Sequence, residues 1–199
     1  MIPMSITEVK DEIRILGWDD APFEPEDDKI PLVGSVLRGG KPYLDGVLVE
    51  EIEVDGFDVT ERIIEATNKT KHKDQLRILM LDGITFAGFN TADIERIYEE
   101  TGIPVLVVTR KNTDFASFRE AMEELPGFER RWDCIERAGD MKEFSFSKGN
   151  LYFQNKGITE ERAKEVIEIT ATKSLTPEPI RISHLIASGI KEGESIGGA

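Results

Sequence analysis

Short apolar runs divide the first quarter of the chain into segments of strand length. Such runs span residues 12–18, 30–37 and 47–54, and an acidic loop at residues 24–28 separates the first two. The tetrapeptide Arg-Gly-Gly-Lys at residues 38–41 is typical of a hairpin turn. Because connections this short cannot hold a crossover helix, the three segments are predicted to form an antiparallel meander.

Beyond residue 55 the apolar positions change to helical spacing. Apolar residues share one helical face at residues 59–66, with Asp58 as the predicted N-cap and Glu61 three residues later, as in a capping box. Residues 76–81 form an apolar run that is too short for a helix and predicts a strand buried on both faces. A second helix at 91–100, ended by Gly102, and a fifth strand at 103–109 follow. Helices between successive strands are typical of parallel crossover connections.

The last third of the chain has a weaker pattern. An amphipathic helix is predicted at residues 113–125, whereas residues 128–148 mix aromatic and charged side chains and predict no defined element. A short strand at 150–154, a helix at 160–171 that starts after Thr159, and a last helix at 176–188 complete the prediction.

This order of elements predicts an α/β domain of the RNase H-like class. Three strands joined by turns, followed by helix, strand, helix and strand, suit a mixed five-stranded sheet in the order 3-2-1-4-5 with flanking helices. A doubly wound nucleotide fold would instead place a helix and a Gly-rich phosphate loop after the first strand, and neither occurs in the sequence. Since no Pro, Gly or Ser-rich linker divides the chain, residues 1–199 are predicted to form a single domain.

Aspartates follow the ends of three predicted strands. Asp19, Asp55 and Asp82 come directly after strands 1, 3 and 4, which run in the same direction in this fold. Neighbouring strands lie about 4.8 Å apart, so acids at their ends repel one another unless a cation lies between them. Oxygen ligands suit Mg²⁺ or Mn²⁺. The three aspartates are therefore predicted as catalytic metal ligands, with Asp20 as a further ligand or base.

A simpler interpretation of these acids stays open at this stage. Acid-glycine pairs after strands are common in turns, so each aspartate taken alone suits a turn residue.

Arg181 and His184 lie three residues apart on one face of the last helix. Either they contact a ligand, or Arg181 pairs with Glu178 and His184 is a hydrogen-bonded packing residue.

Charge and composition restrict the possible partners. A formal net charge of −14 argues against broad, nonspecific attraction to nucleic acid, although cations close to a bound metal can outweigh distant carboxylates. The single cysteine, Cys134, excludes an internal disulfide. No apolar run approaches the roughly 18 residues of a membrane span, and residues 1–12 have no apolar core of a signal peptide, so a cytoplasmic location is expected.

Five motifs, taken in order, resemble those of endonuclease V, a metal-dependent nuclease of deaminated, inosine-containing nucleic acid. They are Gly-Trp-Asp at 17–19, Pro-Tyr-Leu-Asp-Gly at 42–46, Leu-Asp-Gly at 81–83, the run from 102 to 110, and Pro-Glu-Pro-Ile-Arg-Ile-Ser-His at 177–184. A closer resemblance is to an archaeal family, the domain of unknown function numbered 99, which is itself similar to endonuclease V. Its signatures occur at 19–23, 37–40, 54–58 and 81–90. The resemblance spans nearly the whole chain.

The resemblance implies roles for individual residues. Asp19 and Asp82 match the metal aspartates of the nuclease, Asp55 stands where that family has glutamate, and Tyr43 matches the tyrosine of the loop that wedges into the strand beside the lesion. Three departures from the nuclease pattern are Asp45 in place of a proline, Thr85 and Gly88 in place of histidines, and Arg110 in place of a lysine. The predicted nucleic-acid contacts are Tyr43, Arg38, Lys41, Arg110, Lys111, Arg181 and His184.

The sequence thus predicts an enzyme that cleaves a phosphodiester bond of DNA or RNA with the aid of Mg²⁺ or Mn²⁺. Two alternatives belong to other classes. One is a nucleic-acid-binding module that keeps this fold without its chemistry. The other is a metal-dependent phosphoesterase that acts on a small metabolite, which the acidic surface would suit.

Overall fold

The structure, a computed structural model of the chain, describes residue 6 and residues 8–112 and 114–195. These residues form nine strands and six α-helices. In chain order they are β1 (Arg14–Asp20), β2 (Lys29–Arg38), β3 (Leu44–Glu53), α1 (Val59–Lys69), β4 (Leu76–Asp82), β5 (Thr85–Phe86), β6 (Asn90–Thr91), α2 (Ile94–Thr101), β7 (Val105–Thr109), α3 (Phe115–Glu123), α4 (Phe128–Ala138), β8 (Lys142–Phe146), β9 (Gly149–Lys156), α5 (Glu160–Thr170) and α6 (Glu178–Glu192). A 3-10 turn, Lys73–Gln75, precedes β4.

Seven of the strands form one mixed sheet in the order β3-β2-β1-β4-β7-β9-β8. Strands β1, β4 and β7 are parallel, whereas β2, β3, β8 and β9 join through antiparallel pairs. The predicted order 3-2-1-4-5 is confirmed, because the fifth predicted strand is β7. The sheet is nevertheless larger than the predicted five strands, since β9 and β8 extend it beyond β7.

The region without a prediction, residues 128–148, supplies α4 and β8. The five-residue strand β8 alternates half-buried and exposed positions, and its half-buried Phe144 and Phe146 pack against an apolar cluster. Such a short alternation is hard to distinguish from a charged loop in the sequence. It becomes a strand because it pairs with β9.

Alternate residues of β1 face the two helical layers of the domain. Leu16 and Trp18 are fully buried in one apolar cluster with Ile63 of α1. Ile15 is fully buried in a second cluster with Val166 of α5. Strand β1 is therefore covered on both faces, as its nearly continuous apolar sequence predicts.

Helix α6 lies very close to β1. A Cβ on Gly17 would come within 2.4 Å of the backbone carbon of Pro179, so only glycine fits at this position. The hydroxyl of Ser183 donates to the carbonyl of Gly17 at 2.8 Å, and the hydroxyl of Ser35 donates to the carbonyl of Pro179 at 2.6 Å. These contacts fix the position of α6 on the sheet.

The predicted capping box at α1 is wrong. Asp58 makes no capping bond, and its Oδ1 instead accepts from the backbone N–H of Glu53 at 3.2 Å and from the side-chain amide of Asn90 at 2.8 Å. The amide oxygen of Asn90 accepts from the backbone N–H of Val59 at 3.1 Å. Glu61 pairs with Arg96 of α2. Asn90 of the β5–β6 hairpin thus accepts the hydrogen bond at the start of α1 in place of a local capping residue.

The remaining helix boundaries differ from the predicted ones by a few residues. Helix α2 ends at Gly102, as predicted, with a left-handed φ of 71°. Thr113, the predicted start of the third helix, lies outside the described residues, and α3 begins at Phe115 with Asp114 as its N-cap. The segment of residues 1–12 considered above for a signal peptide lies largely outside them too. Within the ranges described, no helix is long and apolar enough to cross a membrane.

Candidate metal centre

Three aspartates lie at the carboxyl ends of the two central strands. Asp19 and Asp20 end β1, and Asp82 ends β4. The parallel register pairs Trp18 with Leu81, so the next residues, Asp19 and Asp82, lie side by side. Asp19 is only 5% exposed. The folding of two buried parallel strands therefore brings carboxylates together at one edge of the sheet.

Burial disfavours the charged forms of all three carboxylates, and repulsion between carboxylates adds to this effect at Asp19 and Asp20. Burial raises the pKa of Asp19 well above its ordinary value, and the charges of Asp82 and Asp20 act in the same direction. Burial also raises the pKa of Asp20 to about 6, with Asp82 contributing. The pKa of Asp82 is raised by burial, although the nearby charges of Arg110 and His184 oppose the shift.

Such a site suits a hard cation. A divalent ion would relieve both the loss of hydration and the repulsion, and carboxylate oxygens are the ligands that Mg²⁺ and Mn²⁺ prefer. Within residues 8–112 and 114–195, no three His, Cys, Asp or Glu side chains are already arranged as a metal-ligand set. The residues present fit such an ion by their chemistry and electrostatics.

His184 joins these acids from α6. Its Nδ1 lies 2.9 Å from Oδ2 of Asp19, and this hydrogen bond is the main cause that raises the pKa of His184. The other carboxylate oxygen of Asp19 accepts from the backbone N–H of Asp20 at 2.9 Å. The close contact of α6 with Gly17 brings the histidine beside the acids, and this hydrogen bond is compatible with both roles that the sequence left open for His184.

Asp20 is held by the β5–β6 hairpin. Its Oδ2 accepts from the backbone N–H of Ala87 at 2.6 Å. Ala87 has a φ of 43°, in the left-handed region that non-glycine residues rarely adopt. The turn of the hairpin is thus shaped so that one backbone N–H reaches Asp20.

Asp55 contacts the same hairpin, and it follows β3, which is not adjacent to β1 or β4 in the sheet. Its Oδ1 accepts from the backbone N–H of Phe89 at 2.8 Å. A Cβ on Gly88 would come within 2.4 Å of that oxygen, so the close approach requires glycine. Strand β2 lies between β1 and β3, which puts the end of β3 about 10 Å from that of β1. Asp20, the predicted reserve ligand, is the third carboxylate that the structure brings to the pair.

A buried arginine from α4 connects the hairpin with the β3–α1 loop. Arg131 is 2% exposed and donates to the carbonyls of Asp55, Gly56 and Phe89. Its guanidinium lies 4.0 Å from the centre of the Phe57 ring. The sequence analysis missed this residue. The available signal was its place on the apolar face of α4, with Cys134, Ile135 and Ala138 at helical spacing.

Arg110 and Lys111 follow the end of β7. The charge of Arg110 acts on the pKa of Asp82, which places its guanidinium close to the acids. Lys111 lines a groove of about 590 Å³ that also touches Gly83 and Phe115. Both cations are exposed and lie at the same end of the sheet as the aspartates.

The β2–β3 hairpin lies at the opposite end of the sheet. Arg38 pairs in register with Arg14, at the start of β1, so Arg38, Lys41 and Tyr43 are not brought to the acids. Tyr43 is 61% exposed, and Arg38 donates to Asp45 at 3.0 Å. The turn between two antiparallel strands necessarily lies at the end where the first of them finishes. The motif resemblance took no account of this geometry.

Arg181 is held by its own helix. It makes two hydrogen bonds to Glu178, at 3.0 and 2.7 Å, and the glutamate is 3% exposed. The pairing of Arg181 with Glu178 is the alternative to a ligand contact that the sequence analysis left open. A guanidinium already engaged in this way has fewer donors left for phosphate.

A mixed sheet with adjoining acids at the carboxyl ends of its central strands defines an α/β protein of the endonuclease V-like fold. The structure of Ciona intestinalis endonuclease V in complex with inosine-containing DNA is similar over 92% of this chain and 87% of that one, with a TM-score of 0.62 and 11% identity. The family model described as Endonuclease dU matches residues 11–191, and the chain belongs to that family.

Closer relatives come from archaea. A UPF0215 protein of Methanothermobacter thermautotrophicus is 48% identical over 194 residues, which cover 96% of this chain and 94% of that protein. A crystal structure of an Archaeoglobus fulgidus protein of unknown function has a TM-score of 0.81 and 40% identity, over 89% of this chain and 98% of that one. The predicted resemblance to an archaeal family similar to endonuclease V is thereby confirmed.

Proposed function

We propose that this protein is a divalent-metal-dependent endonuclease that hydrolyses a phosphodiester bond of nucleic acid. The observation that carries the proposal is the meeting of three carboxylates with raised pKa values, Asp19, Asp20 and Asp82, at one sheet edge. The family description and the DNA-bound fold relative support nucleic acid as the substrate.

The three aspartates would hold Mg²⁺ or Mn²⁺. When bound, such an ion orients a phosphate, lowers the pKa of the attacking water and neutralises charge on the leaving oxygen. The protein provides the anionic oxygens and, through the Ala87 N–H, a fixed orientation for Asp20. Asp55 supports this arrangement through the hairpin.

His184 is suited to move a proton at the reacting phosphate. With the metal bound, Asp19 would be ionised and would only accept hydrogen bonds, so Nδ1 of His184 would carry the proton in this pair. Nε2 then remains to accept a proton from water or, once protonated, to give one to the leaving oxygen. Arg110, which lies near Asp82, would bind the oxygens of the same phosphate through its planar guanidinium.

The favoured substrate is a strand that contains a deaminated base. The family description names dU, and the fold relative was solved with DNA that contains inosine. The bases of both nucleosides arise by deamination. The net charge of −14 disfavours contact with a polyanion except where cations are locally in excess, as they are around the metal, Arg110 and Lys111.

Cleavage of matched oligonucleotides tests the proposal. DNA and RNA strands carrying deoxyuridine or uridine, inosine, or no altered base would be incubated with Mn²⁺ and the products sized. Asp82→Asn should lower the rate by about 100-fold or more, because a group acting on developing charge is lost. Asp140→Asn, at an exposed loop position, is the matched control and should cut like the wild type.

The other outcomes separate the alternatives. Equal products from the wild type and Asp82→Asn would mean that the cleavage has another source, and the nuclease proposal fails. Metal-independent binding of strands without cleavage would identify an inactive binding module. Hydrolysis of a small phosphate ester without cleavage of any strand would identify a metabolite phosphoesterase.

A further inference from the structure

A polar cavity lies between α1, α2 and α4, beside Thr91 of β6. It has a volume of about 150 Å³, and its lining includes four arginines, Arg96, Arg130, Arg131 and Arg137, together with Thr60. None of these residues contacts the three aspartates. In a chain with a net charge of −14, so many guanidinium groups around one small cavity require an explanation.

Two of the four arginines are neutralised by acids. Arg96 pairs with Glu61 and Glu100, and Arg137 pairs with Asp93 at 2.8 Å and with Asp133 at 2.8 Å. These two arginines face four carboxylates, one of which, that of Asp93, also lines the cavity, so they add no net positive charge. An anion would be attracted by the other two.

Arg130 and Arg131 have no ion pair with any acid in the described ranges. Arg131 is 2% exposed, and burial lowers its pKa. Its nearest acid, Asp55, directs its carboxylate to the backbone N–H of Phe89. Burying a charge without a counter-ion is costly, even when backbone carbonyls accept its hydrogen bonds.

The cavity also offers hydrogen-bond donors that the protein leaves unused. Arg131 uses four hydrogen bonds, to the carbonyls of Pro126, Gly56, Phe89 and Asp55, out of the five N–H groups of a guanidinium. The hydroxyl oxygen of Thr60 accepts from the backbone N–H of Asp93 at 3.0 Å, so its proton is free to be donated. Arg130 is exposed and lies 4.8 Å from the centre of the Phe57 ring, at the entrance.

We infer that this cavity binds a phosphate group, held by Arg130, Arg131 and Thr60. Guanidinium groups suit the oxygens of a tetrahedral oxyanion, which can accept from several donors at once. A cavity of about 150 Å³ corresponds to roughly five water volumes of about 30 Å³, enough for a phosphate with a water but too small for a nucleoside. The group comes either from free inorganic phosphate or from a nucleic-acid strand.

Calorimetric titration with inorganic phosphate, without divalent metal and against chloride at equal ionic strength, tests the inference. The wild type should bind with a Kd of about 1 mM or tighter, and its Tm should rise with phosphate concentration. Arg130→Gln should raise the Kd at least about 10-fold while keeping the phosphate-free Tm, because this side chain is exposed. Arg119→Gln, an arginine over the Phe128 and Trp132 rings, is the control and should bind phosphate normally.

Two results would overturn the inference. One is the absence of any heat or Tm shift beyond that of chloride, and the other is equal phosphate affinity in the wild type and Arg130→Gln. The source of the group follows from repeating the titration with an oligonucleotide present. A raised apparent Kd for phosphate identifies the strand as the source, whereas an unchanged Kd identifies free phosphate. Because no metal is present, the result does not depend on cleavage.

Discussion

The backbone N–H of Asp55 donates to the carbonyl of Ala87 at 2.8 Å, and both residues have a left-handed φ, of 50° and 43°. They are the two non-glycine residues in the described part of the chain with this conformation. Strained backbone of this kind persists where the surroundings fix it, and it is common at functional sites. Here it joins the β3–α1 loop to the hairpin that holds Asp20, so the strained backbone helps to fix one carboxylate of the candidate metal centre.

The first prediction separates the role of Asp55 in the hairpin from a role as a metal ligand. Asp55→Asn keeps an oxygen that can accept from Phe89, and asparagine tolerates a left-handed φ. We expect Mn²⁺ affinity within about threefold of the wild type by calorimetry. Asp55→Ala should lower the free energy of unfolding by about 1 to 3 kcal/mol in urea denaturation, because the N–H of Phe89 loses its partner. A loss of Mn²⁺ binding in Asp55→Asn as large as in Asp82→Asn would contradict this role.

The second prediction concerns pH in the absence of metal. The pKa of Asp20 is raised from 3.8 to about 6 in the folded protein, so its contribution to stability is present below pH 3.8 and is lost as pH rises through 6. Wild type in EDTA should therefore lose stability relative to Asp20→Asn between about pH 4 and pH 7. Excess Mn²⁺ should remove most of this difference, because the cation favours the ionised carboxylates.

The measurement is the Tm of both proteins across that pH range. Comparison with the variant is necessary because other carboxylates also titrate. Hydrogen bonds lower the pKa of Asp27 and Asp45, so these two residues stabilise the protein as pH rises, but they do so equally in both proteins. A difference in Tm that stays constant with pH would show that Asp20 titrates normally.

The third prediction assigns proton transfer to His184. His184→Gln should lower the cleavage rate by about 100-fold or more, as expected for loss of a general acid or base, and should flatten the pH profile. His72 is the other histidine of the chain and lies beside Gly46 near β3. His72→Gln is the matched control. Equal rates for the two variants would remove His184 from the reaction.

The fourth prediction concerns the two ends of the sheet. Tyr43 lies at the end opposite the acids and is 61% exposed, so Tyr43→Ala should leave Tm and oligonucleotide affinity nearly unchanged. Arg110→Gln should weaken binding and reduce its dependence on salt concentration, since one phosphate contact is lost. Fluorescence anisotropy with labelled strands at several salt concentrations measures both. Weaker binding in Tyr43→Ala alone would restore the wedge role that the resemblance implied.

The sequence predicted most of the fold because buried parallel strands have a simple signature. The apolar run of β4, ended by Asp82, and the turn-linked first strands were sufficient to give the strand order around β1. Asp19 and Asp82 each follow the last apolar residue of adjacent strands that run in the same direction, and therefore the sequence could place them at the same end of the sheet. Strand β9 was predicted as the short strand at 150–154, but its place in the sheet was not, and β8 depended on its pairing with β9, which a short alternating pattern does not reveal.

The rest of the site depends on contacts that local pattern does not encode. The sequence analysis assigned Asp20 only the role of a reserve ligand. The hydrogen bond that holds its carboxylate comes from Ala87, 67 residues away, and no local pattern indicates it. The backbone conformation of Asp55 and the buried Arg131 were invisible for the same reason. Motif resemblance identified which residues belong to the family pattern, but it could not say that Tyr43 lies at the far end of the sheet.

The docking of α6 on Gly17 has a consequence for the nascent protein. His184 meets Asp19 across 165 residues of chain, so the centre is assembled from the first strand and the last helix. Contacts of such sequence separation form late, after the chain between them has collapsed. A growing polypeptide on the ribosome carries the acids long before it carries the histidine. The candidate centre can therefore be completed only after nearly the whole chain has been synthesised.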